Sequence, residues 1–133
     1  MEKRNLGNIG TKVGALGIGA MSFSDFYGPT NTQESHAILK MALDNDIDHI
    51  DTAKVYGMGL SEERIGQFLN TLSKNDRQFF KIATKGGIDR KNFDDKGTVV
   101  FDNSKEFLTE ELDNSLFSFA IENYPDIEVI DFR

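Results

Sequence analysis

The chain has 133 residues and a formal net charge of −7, with 22 acidic against 15 basic side chains. That acidity, with no run of basic residues, argues against a surface that tracks nucleic-acid phosphates. The absence of cysteine excludes disulfides and thiolate metal sites and suits a reducing cytoplasm, while no apolar run approaches the roughly 18 residues of a membrane span.

In chain order, residues 4–16 read as a small hairpin turning at Gly7-Asn8-Ile9-Gly10, a cap of residues 1–16. "LGIGAM", residues 16–21, is a short, apolar, glycine-rich strand suited to burial and close approach. Thr30 with Gln33 reads as a capping box for a helix with Ile38, Leu39, Met41, Ala42 and Leu43 at helical spacing, ending around Asp46 to Asp48. "IDHIDTA" is the next strand. Ser61 is placed to cap a helix whose apolar face is Ile65, Phe68, Leu69 and Leu72, and "FFKIATKGG", residues 79–87, is a third strand stopped by two glycines. Residues 88–103 read as a polar loop with a short hairpin around Thr98-Val99-Val100-Phe101. Asn103 with Glu106 then forms a cap for a helix striped by Leu108, Leu112 and Leu116, and "DIEVIDFR" closes the chain as a fourth strand.

Strand centres at Ile18, Ile50 and Ile82 recur every 32 residues. Strands alternating with helices predict α/β architecture, a parallel sheet with right-handed crossovers. An open doubly wound sheet and the first half of an eight-stranded barrel both fit. The dinucleotide fingerprint of the former fails, because "GIGAMS" lacks a third glycine and no helix starts there.

In a parallel barrel the chemistry gathers at the carboxyl ends of the strands. Asp51 ends the second strand, Tyr56 lies in the loop after it, and Lys85 ends the third. Two readings fit this placement: a tuned proton-transfer group, or a packed tyrosine beside a surface lysine, which would look the same in sequence. A tyrosine ordinarily ionises near pH 10, too high for easy donation at neutral pH; a neighbouring ammonium favours phenolate, and a carboxylate holds the ammonium in place.

"HIDTAKVYGMGLSEERIGQFL", residues 49–69, preceded by "LGIGAMSFSDFYGP" and followed by "FFKIATKGG" and "EFLTEELDNSL", resembles the N-terminal half of the aldo-keto reductases, over residues 4–116. The resemblance implies the first half of a (β/α)8 barrel, with four parallel strands, closed at its amino end by the hairpin. The β/α repeats then span residues 17–116 and a divergent tail with the fourth strand spans residues 117–133. It further implies reduction of small aldehydes or ketones with NADPH. Tyr56 would be the general acid tuned by Asp51 and Lys85, and Ala20, Met21, Tyr27 and Asp51 would contact the cofactor. Lys54 is a modest departure, standing where acidic or small residues are common.

Two departures are larger. The family closes its fourth strand with a histidine before arginine, where this chain has Phe132 before Arg133. Of the two histidines, His36 is expected on an outer surface and His49 as a packed, hydrogen-bonded interior residue, roughly 6.6 Å deeper along the strand than Asp51. The second departure is length, since a complete barrel takes about 250 residues. Impaired activity in a truncated chain is one expectation; a non-catalytic cofactor-sensing or interaction half-barrel is another, and a non-functional fragment of a truncated or frame-shifted gene a third. Four inward-facing strands would leave an apolar patch and open edges, predicting self-association, without membrane or nucleic-acid partners.

Overall fold

The computed structural model describes residues 1–8, 10–89 and 99–119. Strands β1 (Lys3–Asn5) and β2 (Lys12–Gly14) form the antiparallel hairpin, with Lys3 opposite Gly14. Strands β3 (Gly17–Gly19), β4 (His49–Asp51) and β5 (Lys81–Ala83) form a parallel sheet in the order β3-β4-β5. The register places Ile18 beside Ile50 and Ile50 beside Ile82, so the repeat in the sequence is the register of the sheet. Helices α1 (Thr32–Asp44) and α2 (Leu60–Leu69) form the crossovers, with a short α3 (Lys74–Phe79) before β5 that the sequence reading missed. A second hairpin pairs β6 (Ile88–Asp89) with β7 (Val100–Phe101), and α4 (Lys105–Ser118) follows. The predicted fourth parallel strand and Phe132 lie outside the described residues. Among the described residues, no helix is long and apolar enough to cross a membrane.

The core lies between the sheet and the helices. Ile50 is fully buried against Leu39, Ala42, Ile65, Phe68 and Leu69, with Ile18 and Ile82 packed beside it. Successive residues of a strand point to opposite faces. The other face of these strands therefore carries Gly17, Gly19, His49, Asp51, Lys81 and Ala83. That is a small and polar set, which corrects the expectation of an apolar inner patch in these three strands. Among the described residues the glycine-rich β3 is likewise at the edge of the parallel sheet, with both glycines exposed, not buried.

Asp48 locks the hairpin under the sheet. Its Oδ1 accepts the Gly14 N–H at 2.6 Å, its Oδ2 lies 2.9 Å from Lys3 Nζ, and its backbone oxygen accepts the Lys81 N–H at 2.7 Å. Burial opposes the charge on Asp48 and is the largest single influence. The hydrogen bonds from Lys3 and Gly14 and the charges of Lys3 and Lys81 together outweigh it, holding the carboxyl below its ordinary range.

Three predicted helix starts shift. The capping box of α1 is Asn31 with Glu34, each side chain accepting the other's backbone N–H; Thr30 donates its hydroxyl to Glu34 instead. The cap of α4 is Ser104, which accepts from Phe107 N, rather than Asn103. Helix α2 starts from Gly59 in left-handed conformation at φ 97°, and Ser61 is buried for another purpose. Helix α1 also buries Ser35, Leu39 and Ala42 while Ile38 and Met41 are exposed, because only one of two stripes with helical spacing can face the sheet.

Candidate active site

The parallel ladder continues past the strand ends. Thr52 N donates to Ala83 O at 2.8 Å and Lys54 N to Lys85 O at 3.2 Å, which carries the chain of Lys85 alongside that of Asp51. Lys85 Nζ donates to Asp51 Oδ1 at 2.5 Å and to Thr52 O at 2.8 Å, and lies 5.3 Å from the centroid of the Tyr56 ring. The ion pair is 45% and 49% exposed at its two side chains, so by itself it contributes at most about 1 kcal/mol to stability. Its importance is positional: a cation is fixed against a phenol.

Tyr56 is presented by a tight 3₁₀ turn, Tyr56–Gly59, in which Gly57, Met58 and Gly59 have φ of 63°, 58° and 97°. Gly57 is required twice, since its φ disfavours a side chain and an added Cβ would come within 2.8 Å of Ser24 Cβ. A pocket of about 140 Å³ opens between Tyr56, Lys85, Gly86, Ile88 and Glu111. A cleft of about 290 Å³ beside it shares Val55, Ile88 and Glu111, so α4 walls one side of both.

Beneath this rim lies a buried polar layer that the sequence reading did not assign. Ser61 Oγ donates to Ala20 O at 2.8 Å and lies 2.9 Å from Thr52 Oγ1. With its one proton given to Ala20, Ser61 accepts from Thr52, and the ends of β3, β4 and α2 are joined in one chain of hydrogen bonds. Glu62 is fully buried and accepts from Thr84 Oγ1 at 2.6 Å. Arg64 Nη1 donates to Phe23 O at 2.5 Å and Nη2 to Thr30 O at 3.4 Å, which anchors the segment after β3. One signal was available: Ser61 and Glu62 stand four and three residues before buried Ile65, on the apolar face of α2. The variant Thr52→Val, nearly isosteric, is expected to lose about 1 kcal/mol of folding stability, read as a lower urea midpoint at unchanged slope.

Asp51, Tyr56 and Lys85 are thus brought together. The other candidates are not all beside them. Ala20 is fully buried and offers its carbonyl to Ser61, and Met21 is half-buried in the 3₁₀ turn after β3. Tyr27 is 72% exposed and meets Phe26 edge-on at 5.2 Å. The histidines depart from expectation. His36 is half-buried between α1 and α2, where its Nε2–H donates to Arg64 O at 3.0 Å and its ring tilts against Phe68. His49 does lie over the interior face, against Gly17, but among the described residues its buried Nδ1 has no hydrogen-bond partner.

A hairpin-closed parallel sheet with α/β crossovers, carrying these groups at the carboxyl ends of its strands, defines part of a β/α barrel. The chain belongs to the Aldo/keto reductase family, whose sequence model matches residues 15–132. Among curated relatives, it is 38% identical over 78 residues to D-threo-aldose 1-dehydrogenase of Pseudomonas sp, covering 59% of this chain and 23% of that one. It is 29% identical over 119 residues to the NADP(+) aldo-keto reductase yakc of Schizosaccharomyces pombe, covering 90% and 33% respectively. A solved aldo-keto reductase from Bacillus halodurans, in holo form, superposes with a TM-score of 0.74 at 30% identity, covering 90% of this chain and 37% of that chain. The chain thus spans about a quarter to a third of the length of these curated relatives.

Proposed function

We propose that this chain supplies the proton-transfer half of an NADPH-dependent carbonyl reductase. The observation that carries the reading is the Lys85 ammonium held by Asp51 at 2.5 Å and set 5.3 Å from the Tyr56 ring, at the carboxyl ends of adjacent strands. Tyr56 donates its phenolic proton to the carbonyl oxygen of an aldehyde or ketone. The Lys85 cation stabilises the negative charge that develops on the phenolic oxygen, and Asp51 keeps Lys85 from turning to solvent. The 140 Å³ pocket admits a small carbonyl group beside Tyr56.

The residues present fit the nicotinamide end of the cofactor. Gly19 pairs with Asp51 across the sheet, and an added Cβ there would meet nothing within 4 Å, so space is open beside a half-exposed carboxyl that can accept from a sugar hydroxyl. Asp51 and Met21 would hold that end, Ala20 would support it from beneath, and Tyr27 would reach it only from the exposed loop. When bound, the cofactor supplies hydride to the carbonyl carbon. The test is isothermal titration of the chain with NADPH and, separately, with nicotinamide mononucleotide. Asp51→Asn is expected to weaken both, and equal affinity of the variant and the parent chain would count against the assignment.

Among the described residues, β3 and β5 each pair with a single strand of the parallel sheet. Copies of the chain are expected to associate through these edges rather than through the polar inner face. Sedimentation should show a mass above 14.9 kDa that rises with concentration; a monomer throughout the range would exclude edge pairing.

A further inference from the structure

We propose that Glu62 is a positioning residue for Lys85, acting through Thr84. Its functional meaning rests on the role of Lys85 given above; its structural content does not. Glu62 occupies the first turn of α2 and has no exposed surface. Its Oε1 accepts the Thr84 hydroxyl at 2.6 Å, and Thr84 immediately precedes Lys85. Among the described residues its Oε2 is buried without a hydrogen-bond partner, and the nearest cation is Lys54 Nζ at 3.8 Å. Lys54 in turn donates its backbone N–H to Lys85 O at 3.2 Å, and its Nζ to Ser118 Oγ at 3.1 Å. One buried carboxyl group therefore touches the residue before Lys85 and the residue whose backbone holds Lys85.

The alternation of extended backbone turns this contact into an orientation. Consecutive side chains point to opposite faces. With Thr84 drawn outward to Glu62, Lys85 is directed to the inner side, where Asp51 stands. The same logic holds one strand away: Thr52 is drawn outward to Ser61, and Asp51 is directed inward. Packing alone does not call for a carboxyl here. An apolar side chain of similar volume fills a buried position at no desolvation cost, so half-satisfied Glu62 spends stability on holding the strand end.

The test needs no turnover, so its failure is separate from failure of the reductase reading. Lys85 Nζ lies 5.3 Å from the Tyr56 ring centroid, so the methylene protons beside it are expected to carry a ring-current shift that Tyr56→Leu abolishes, which assigns the signal. In Glu62→Ala and in Thr84→Val this shift is expected to collapse toward the free-lysine value. Exchange of the Lys54 amide should accelerate about tenfold, the equivalent of one hydrogen bond, while the Lys81 amide at the other end of the same strand pair should not change. Glu62→Gln keeps an oxygen for Thr84 and should preserve both signals. An unchanged Lys85 shift in Thr84→Val, or equal acceleration at Lys54 and Lys81, would overturn the proposal. The first would show that Lys85 needs no brace, the second that Glu62 supports only global stability. Thr84→Val, which deletes one half-buried hydroxyl, provides the decision if Glu62→Ala does not fold.

Discussion

Incubated with NADPH and a panel of aldehydes and quinones, the 133-residue chain is expected to turn over no faster than its Tyr56→Phe variant. Asp51, Tyr56 and Lys85 are brought to one rim, and on the function proposed above they supply only one part of the rate. A positioned general acid contributes on the order of 10² to 10⁴-fold. Holding two reactants in attack geometry contributes about 7 kcal/mol or more, and that term belongs to a complete cofactor site. This chain covers 37% of the length of its Bacillus halodurans relative. On the function proposed above, the open space at Gly19 and the Asp51 carboxyl would take only the nicotinamide end of the cofactor. Among the described residues of the rim, Lys54 and Lys85 are already engaged with carboxyl groups and so are poorly placed to hold its phosphates. The position where the family pattern places a carbonyl-orienting histidine holds Phe132, which has no donor. The same chain joined to the remaining part of the Bacillus halodurans relative should gain turnover, and Tyr56→Phe in that fusion should remove about 10² to 10⁴-fold of it. Robust reduction by the unfused chain, abolished by Tyr56→Phe, would show instead that copies assemble a working site.

Replacing Asp48 by alanine should cost about 3 kcal/mol, the largest stability loss of any single polar substitution in the hairpin-to-sheet junction. The change strands the Gly14 N–H, which donates at 2.6 Å in a buried setting, and frees Lys3. Lys3 keeps partial access to water, so the greater part of the loss comes from the unsatisfied amide. Asp48→Asn leaves an acceptor for Gly14 and should cost less. The two variants also differ in acid. Because the folded carboxyl is held below its ordinary range, the unfolded chain binds more protons in that window, and stability rises with pH there. The contribution of Asp48 is fully present above about pH 4, the unfolded value, and is lost as pH falls through the folded one. Asp48→Asn should therefore flatten the acid limb of a urea-midpoint profile. The remaining slope would come from other groups, including Asp102, whose carboxyl is lowered by the Ser104 N–H. An acid limb identical to that of the parent chain would place the titration elsewhere.

Much of the plan was legible because it rests on periodicity. The 32-residue recurrence of Ile18, Ile50 and Ile82 became a direct register, since equal crossovers bring equivalent residues side by side. Asp51, Tyr56 and Lys85 were found from their places after strands, because in a parallel sheet the strand ends share one rim. Fine placement was not legible. Thr30 and Asn103 lost their capping roles to Asn31 and Ser104, one residue away in each case, because neighbouring polar residues have similar capping chemistry and only the entry path of the chain selects between them. Ile38 and Met41 were indistinguishable by spacing from Leu39 and Ala42, and the sheet alone chose which stripe to bury.

The sequence by itself determined the alternation of strands and helices, the family, and which three side chains stand at the rim, because each depends on local residue type and on order along the chain. Only the tertiary structure decided that three residues of "SEER" would be buried while Glu63 stays exposed. Ser61, Glu62 and Arg64 look like a solvated first turn, yet they enter the interior to meet Ala20, Thr84 and Phe23. Those partners lie 41, 22 and 41 residues away. A polar side chain is affordable inside only where such distant groups arrive to satisfy it, and that meeting is a property of packing that no local pattern encodes.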